Sequence, residues 1–209
     1  MSVKFLYNHN KSNCIGEELK QLIADAKDEI TIVAPYISKN LLINIIDVLD
    51  GIKIRILTRL SLDDFISSSS DINILNKLTK NNNIEVRYYS NLHAKIYVID
   101  EKKAVITSAN FTQNGMYNNL EYGVLIEEDL TDMIRDINNL WSNAGIVNDE
   151  IIASIQDELN ILEEHKKQAH KIKNEINEVN KQIIEHKRSH PYRRENLNKE
   201  TTNNSISEY

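Results

Sequence analysis

The sequence predicts an α/β fold: a mixed, mostly parallel sheet flanked by helices, continued by a long C-terminal helix with a coiled-coil pattern. Three observations predict it. Short runs rich in β-branched residues, such as EITIVAPY at 29–36 and KIRILT at 53–58, read as strands of a buried sheet. Between them lie segments whose apolar residues recur every three or four positions, the period of a helix. From Glu150 to Lys187 there is no Gly or Pro, and apolar steps of three and four alternate, with Lys166 in the seam. Strands alternating with helices place helices on both faces of one sheet.

Taken in order, Gly16–Ala26 carries Leu19, Leu22, Ile23 and Ala26 on one helical face. Glu29–Tyr36 is a strand ended by Pro35, Leu41–Leu49 a helix, and Lys53–Thr58 another strand. The serines at 67–70 make a connecting loop, Asp71–Lys80 a helix and Ile84–Tyr89 a strand. From His93 to Asp100 the residues alternate, with His93, Lys95, Tyr97 and Ile99 on one face, so the run reads as a strand. Ala104–Thr107 is the next strand, Asn114-Gly115 marks a turn, and Glu121 opens a strand over Tyr122–Ile126. Residues 130–142 form an amphipathic helix that closes the domain. The final helix places Ile152, Ile155, Leu159, Leu162, Ala169, Ile172, Ile176, Val179 and Ile183 along one narrow stripe, with a compressed step between 169 and 172. It runs for about 55 Å at the usual helical rise. A stripe this narrow suits a dimerisation arm or a partner-binding lever. After Pro191 the tail is polar and is expected to be disordered.

Composition sets limits. A chain of 209 residues suits one domain plus an appendage. The net charge of −6 excludes a broadly basic surface, so any contact with nucleic acid must come from a local positive cleft and be salt-dependent. The densest basic cluster, Lys187, Arg188, His190, Arg193 and Arg194, reads as a solubilising helix end. Cys14 is the single cysteine, which rules out an intrachain disulfide and points to a reducing, cytoplasmic location. No apolar stretch is long enough for a signal peptide or a membrane span. There is no glycine-rich phosphate loop, which argues against nucleoside triphosphate chemistry. His186 and His190 stand four apart with no third ligand nearby, so neither a metal nor a cofactor is expected.

The chemistry is concentrated between Asn91 and Gly123. There the strand ends carry His93, Lys95, Asp100, Ser108, Asn110 and Glu121. A nucleophilic imidazole, an ammonium, hydroxyl and amide donors and a carboxylate are what is needed to hold a phosphodiester and attack its phosphorus. Residues i and i+2 of a strand lie about 6.6 Å apart on one face, so His93 and Lys95 can touch the same phosphate. Each pair alone is a weak signal. Their conjunction, in order and at short spacing, is a strong one.

The pattern His-x-Lys, four residues, Asp, six residues, then Ser-x-Asn resembles the HKD signature of the phospholipase D superfamily, matched by His93, Lys95, Asp100, Ser108 and Asn110. Asn110-Phe111-Thr112 and Asn119-Leu120-Glu121 look like the single-motif, nuclease-like branch. One departure is Thr107, where the family has glycine. The resemblance implies a phospholipase D-like catalytic domain over 1–145, followed by a long helix over 146–190 and a tail over 191–209. It implies a metal-independent phosphodiesterase, an endonuclease acting on DNA or RNA, with no cofactor. His93 would form a phosphohistidine, and Lys95, Ser108 and Asn110 would bind the phosphate. Glu121 would orient His93, and Asp100 would have a supporting role. None of the other five histidines repeats the His-x-Lys setting. A homodimer sharing one active site between two copies of His93 is therefore implied, with a further protein partner or oligomer contact for the C-terminal helix and no membrane association. The alternatives are a phospholipid hydrolase or phosphatidyl transferase using the same chemistry, and a non-catalytic coiled-coil interaction protein.

Overall fold

The computed structural model describes residues 3–9, 13–38, 41, 51–67, 69–127 and 129–189. The expected helix beyond Leu41, together with Ser68, His190, Arg193, Arg194 and the polar tail, lies outside the described residues. The chain divides into two compact units, Met1–Asn160 and Ile161–Tyr209.

Among the described residues the first unit has eight strands: β1 (Val3–Tyr7), β2 (Glu29–Val33), β3 (Lys53–Thr58), β4 (Ile84–Tyr88), β5 (Ile96–Ile99), β6 (Lys103–Thr107), β7 (Tyr122–Ile126) and β8 (Gly145–Ile146). They form one sheet in the order β1-β7-β6-β5-β2-β3-β4-β8. Pairing is parallel for β2-β3 and β3-β4 and antiparallel for the other five ladders. The sheet is thus mixed, and the expectation of mostly parallel pairing holds only for β2-β3-β4. Parallel neighbours need a long crossover, whereas β5 and β6 are joined by a tight turn that permits only an antiparallel hairpin.

Among the described residues there are five α-helices: α1 (Ile15–Ala24), α2 (Leu62–Ile66), α3 (Ile72–Thr79), α4 (Thr131–Asn143) and α5 (Asp149–Ser189). On one face, Ile15, Leu19 and Ile23 of α1, Phe65 of α2 and Leu75 and Leu78 of α3 pack on Leu6, Ile30, Ile32, Ile54, Ile56 and Tyr97. Ile152 of α5 is buried in the same core, with Ile155 and Leu159 packed against it. For that reason the compact unit continues to Asn160 rather than stopping at 145. On the other face, Ile137 and Trp141 of α4 cover Val33, Leu57 and Val98. The cover ends before the β6-β7-β1 edge. There Val3, Phe5, Ile106 and Tyr122 are 42%, 69%, 37% and 58% exposed. The ladder registers put these residues on the face that α4 covers elsewhere.

Two local expectations are corrected. The strand expected from His93 begins only at Ile96. Its partner β2 ends at Val33, after which Pro35 has no N–H to extend the ladder. Asn114-Gly115 is not a simple turn but opens a π-helical turn over Asn114–Asn118.

In the second unit α5 continues as an uninterrupted helix to Ser189. Ile161, Ile172, Ile176, Val179 and Ile183 are each about half exposed there. Among the described residues no helix is long and apolar enough to cross a membrane.

Candidate active site

Strand direction brings the chemistry together. β3 and β4 run parallel to β2 and β5 runs against it, while β6, β7 and β1 alternate outward. The C-terminal ends of β2, β3 and β6 therefore meet the N-terminal ends of β5 and β7 along one edge. That edge carries His93, Lys95, Ser108, Asn110 and Glu121. Asp100 follows the C-terminal end of β5 and falls at the opposite edge, so five of the six expected residues converge and one does not.

Lys95 is buried, with 7% of its surface exposed, while His93 is exposed. The Lys95 ammonium donates to the His93 carbonyl oxygen at 2.7 Å and lies 3.2 Å from His93 Nδ1 and 3.4 Å from Nε2. Its carbonyl accepts from Thr107 N–H at 3.1 Å, which ties the segment before β5 to the end of β6. Burial lowers the Lys95 pKa, the Glu121 carboxylate pushes it back up and the Arg59 guanidinium pushes it down, leaving it below the ordinary lysine value. The ammonium therefore gives up its proton more readily than a surface lysine.

The β6–β7 connection supplies the other donors. Ser108 Oγ donates to Glu121 Oε2, and Asn119 Nδ2 donates to Glu121 Oε1 at 3.3 Å. The expected bond from His93 to Glu121 is not formed, because Glu121 is engaged by Ser108 and Asn119 and the His93 ring faces Lys95. The phenol of fully buried Tyr97 donates to Ala109 O at 2.8 Å and so fixes the loop between Ser108 and Asn110. Gly115 closes on that loop from the other side. A Cβ there would stand 2.5 Å from Asn110 O and 2.8 Å from Asn110 N, so only glycine allows the approach. Asn110 Oδ1 is buried without a hydrogen-bond partner among the described residues.

The Thr107 departure is accommodated by two contacts. Its hydroxyl donates to Tyr122 O at 2.8 Å and accepts from Ala109 N–H at 3.1 Å. Opposite it in the ladder stands Gly123, where a Cβ would come within 2.8 Å of the Thr107 Cβ. The glycine across the ladder makes room for the extra side chain.

Asp100 has a different task. It lies in the β5–β6 turn with φ 52°, followed by Glu101 at 54°, a left-handed pair that suits a hairpin and that Asp tolerates better than most residues. Its carboxylate accepts N–H bonds from Lys27, Asp28 and Glu29 at 3.0, 2.8 and 3.1 Å, pinning the start of β2. Burial raises its pKa, but the backbone donors of Asp28, Glu29 and Lys27, with the Lys102 charge, outweigh that and hold it below the usual aspartate value.

Sequence reasoning missed the neighbours contributed by other strands. The isolated parallel bridge between Ile37 and Phe111 sets Tyr36 beside Asn110. The Arg59 guanidinium lies over the Tyr36 ring at 5.1 Å and donates to its hydroxyl. Asn8 accepts from Ile15 N–H and donates to Gly115 O and Asn119 O, which holds the end of β1 against the Glu121 segment. The only sequence signal for Arg59 was an arginine just past a strand. Among the described residues no group of three or more His, Cys, Asp or Glu could hold a metal ion.

Comparison with known proteins bears on the family and the fold. The family described as "Cardiolipin synthase, PLD-like domain" matches residues 19–143. DISARM protein DrmC of Bacillus paralicheniformis is 43% identical over 49 residues, which cover 23% of this chain and only 20% of that protein. Nuc, a phospholipase D family member from Salmonella typhimurium, superposes with a TM-score of 0.57 at 20% identity, covering 70% of this chain and 98% of its own. Phosphatidylserine synthase of Haemophilus influenzae gives a TM-score of 0.56 at 14% identity, covering 79% of this chain and 46% of that one. At such identities the structural matches speak for a shared fold.

Proposed function

The chain belongs to the phospholipase D superfamily, and on that premise we propose that it is a metal-independent nuclease cleaving DNA or RNA phosphodiesters in a homodimer. The observation that carries the reading is the convergence of His93, Lys95, Ser108, Asn110 and Glu121 on one sheet edge, with the Lys95 ammonium 3.2 Å from His93 Nδ1.

His93 attacks phosphorus in line and expels the leaving oxygen, forming a P–N bond as the P–O bond breaks. Lys95 spends one N–H on the His93 carbonyl and points another at the His93 ring, which leaves one N–H for a non-bridging oxygen. The Asn110 side-chain NH2 adds a neutral donor to the non-bridging oxygens, whereas the single O–H of Ser108 is committed to Glu121, so the phosphate contact expected of Ser108 is not available while that bond stands. Glu121 holds Ser108 in place and offsets part of the lowering of the Lys95 pKa by burial, in place of its expected role on His93. The leaving oxygen needs a proton, and His93 of the partner subunit supplies it, then takes a proton from the water that hydrolyses the phosphohistidine. The apolar face of Val3, Phe5, Ile106 and Tyr122 lies beside the site and supports the pairing. It shares the face that α4 covers elsewhere and adjoins the edge carrying Ser108 and Glu121.

The same chemistry on a phospholipid is the alternative, supported by that apolar face, by the cardiolipin synthase description of the matching family and by the likeness to a phosphatidylserine synthase. The experiment is incubation with labelled DNA, RNA and phosphatidylcholine in excess EDTA. Nucleic acid is expected to be cut and lipid left intact, and His93→Ala is expected to lose cleavage by several orders of magnitude while keeping its melting temperature. Full activity in that variant, or complete loss in chelator, would overturn the mechanism.

A further inference from the structure

Arg59 stands just past β3 and outside the motif, and its surroundings are built to aim it. Its Nε and Nη2 form a two-pronged pair with Asp64, at 2.7 Å to Oδ2 and 2.6 Å to Oδ1. Asp64 is 5% exposed, an unusual setting for a carboxylate unless it is committed to a partner. Nη2 also donates to the Tyr36 hydroxyl, and the guanidinium plane lies over the Tyr36 ring. Every bond falls on Nε or Nη2. Among the described residues the two N–H groups of Nη1 have no acceptor, although the side chain is only 26% exposed. A planar cation fixed on one side and open on the other is a ready donor to an anion.

Its position says which anion. Tyr36 stands between Arg59 and Asn110, next to Asn110 across the Ile37–Phe111 bridge. β3 is two strand positions from β5, roughly 10 Å at the usual spacing. Arg59 therefore enters the edge two strands away from Lys95, near enough for its charge to depress the Lys95 pKa. We infer that Arg59, clamped by Asp64 and Tyr36, binds the backbone phosphate neighbouring the scissile one in a nucleic acid strand. The inference rests on the nuclease reading and deepens it. A polynucleotide offers a second phosphate next to the scissile one, whereas a simple phospholipid offers a single diester.

The test uses two variants, Arg59→Gln and the double variant Arg59→Gln with Asp64→Asn, the second leaving no unpaired buried carboxylate should the first fail to fold. Binding of a fluorescent single-stranded oligodeoxynucleotide is measured against salt in a His93→Ala background. Losing one phosphate contact lowers the slope of log K on log salt by about 0.7. In the active enzyme, the ratio of kcat/KM for the oligonucleotide to that for bis(p-nitrophenyl) phosphate, which has one phosphate, falls about tenfold, chiefly through KM. An unchanged slope, or equal losses on both substrates, overturns the clamp. So does a wild-type protein that fails to bind the oligonucleotide. Binding with an Arg59-dependent slope but no cleavage leaves the clamp standing and refutes the nuclease instead.

Discussion

Asp100→Ala should destabilise the fold without touching the chemistry, although Asp100 belongs to the motif. The substitution strands three N–H groups. Those of Lys27 and Asp28 are exposed and water can take them over, whereas that of Glu29 is partly buried. Discounting the exposed pair for solvent, the lost bonds are together worth about 2 kcal/mol. Alanine also lacks the tolerance of aspartate for φ 52°, which adds about 1 kcal/mol. A loss of about 3 kcal/mol lowers the melting temperature by about 6–12 °C in a protein of this size. Asp100→Asn keeps one acceptor oxygen and the turn, and should lose only about 1 kcal/mol. The pH dependence has a definite sign. The folded-state pKa of Asp100 is depressed, so its contribution is present above the unfolded aspartate value and lost as pH falls through the lower folded value. The gap between wild type and Asp100→Asn should therefore close in acid. Thermal melts of the three proteins across pH, with cleavage rates beside them, check the prediction. Unchanged melting of Asp100→Ala, a gap that widens in acid, or lost cleavage at full stability would refute the reasoning.

Glu121→Gln removes the charge that raises the Lys95 pKa, so the alkaline limb of kcat/KM should move to lower pH, and a limb that stays in place would remove Lys95 from the rate profile. Gly115→Ala forces a Cβ against the Asn110 backbone and should cost about 1–3 kcal/mol together with a clear drop in cleavage, read from melts and initial rates. A chain ended at Asn160 should keep its melting temperature. One ended at Asn148 strips Ile152, Ile155 and Leu159 from the core, and each fully buried apolar side chain contributes about 1.5–3 kcal/mol. Equal stability of the two truncations would show that the start of α5 adds nothing to the core.

Periodicity and short-range spacing were enough to place most strands, the helices α1, α3, α4 and α5 and the five residues that meet at the sheet edge, whereas the short α2 was not foreseen. His93 and Lys95 lie two apart, Ser108 and Asn110 two apart, and Glu121 opens the neighbouring strand, so local geometry already ties them. Strand β1 was not legible. Its alternating VKFLY buries only Leu6 fully, and pairing with β7 is what makes it a strand. The end of the His93 strand was equally hidden, because it depends on where Pro35 stops the β2 ladder. The sequence by itself determined which groups the chemistry could use, since a polar residue's reactivity travels with its side chain. Only the tertiary structure decided how those groups are shared out. It sent Asp100 to the far edge to hold the start of β2, turned Glu121 toward Ser108, and swung Arg59 beside Tyr36, because strand direction and cross-strand register bring together residues that no local spacing relates.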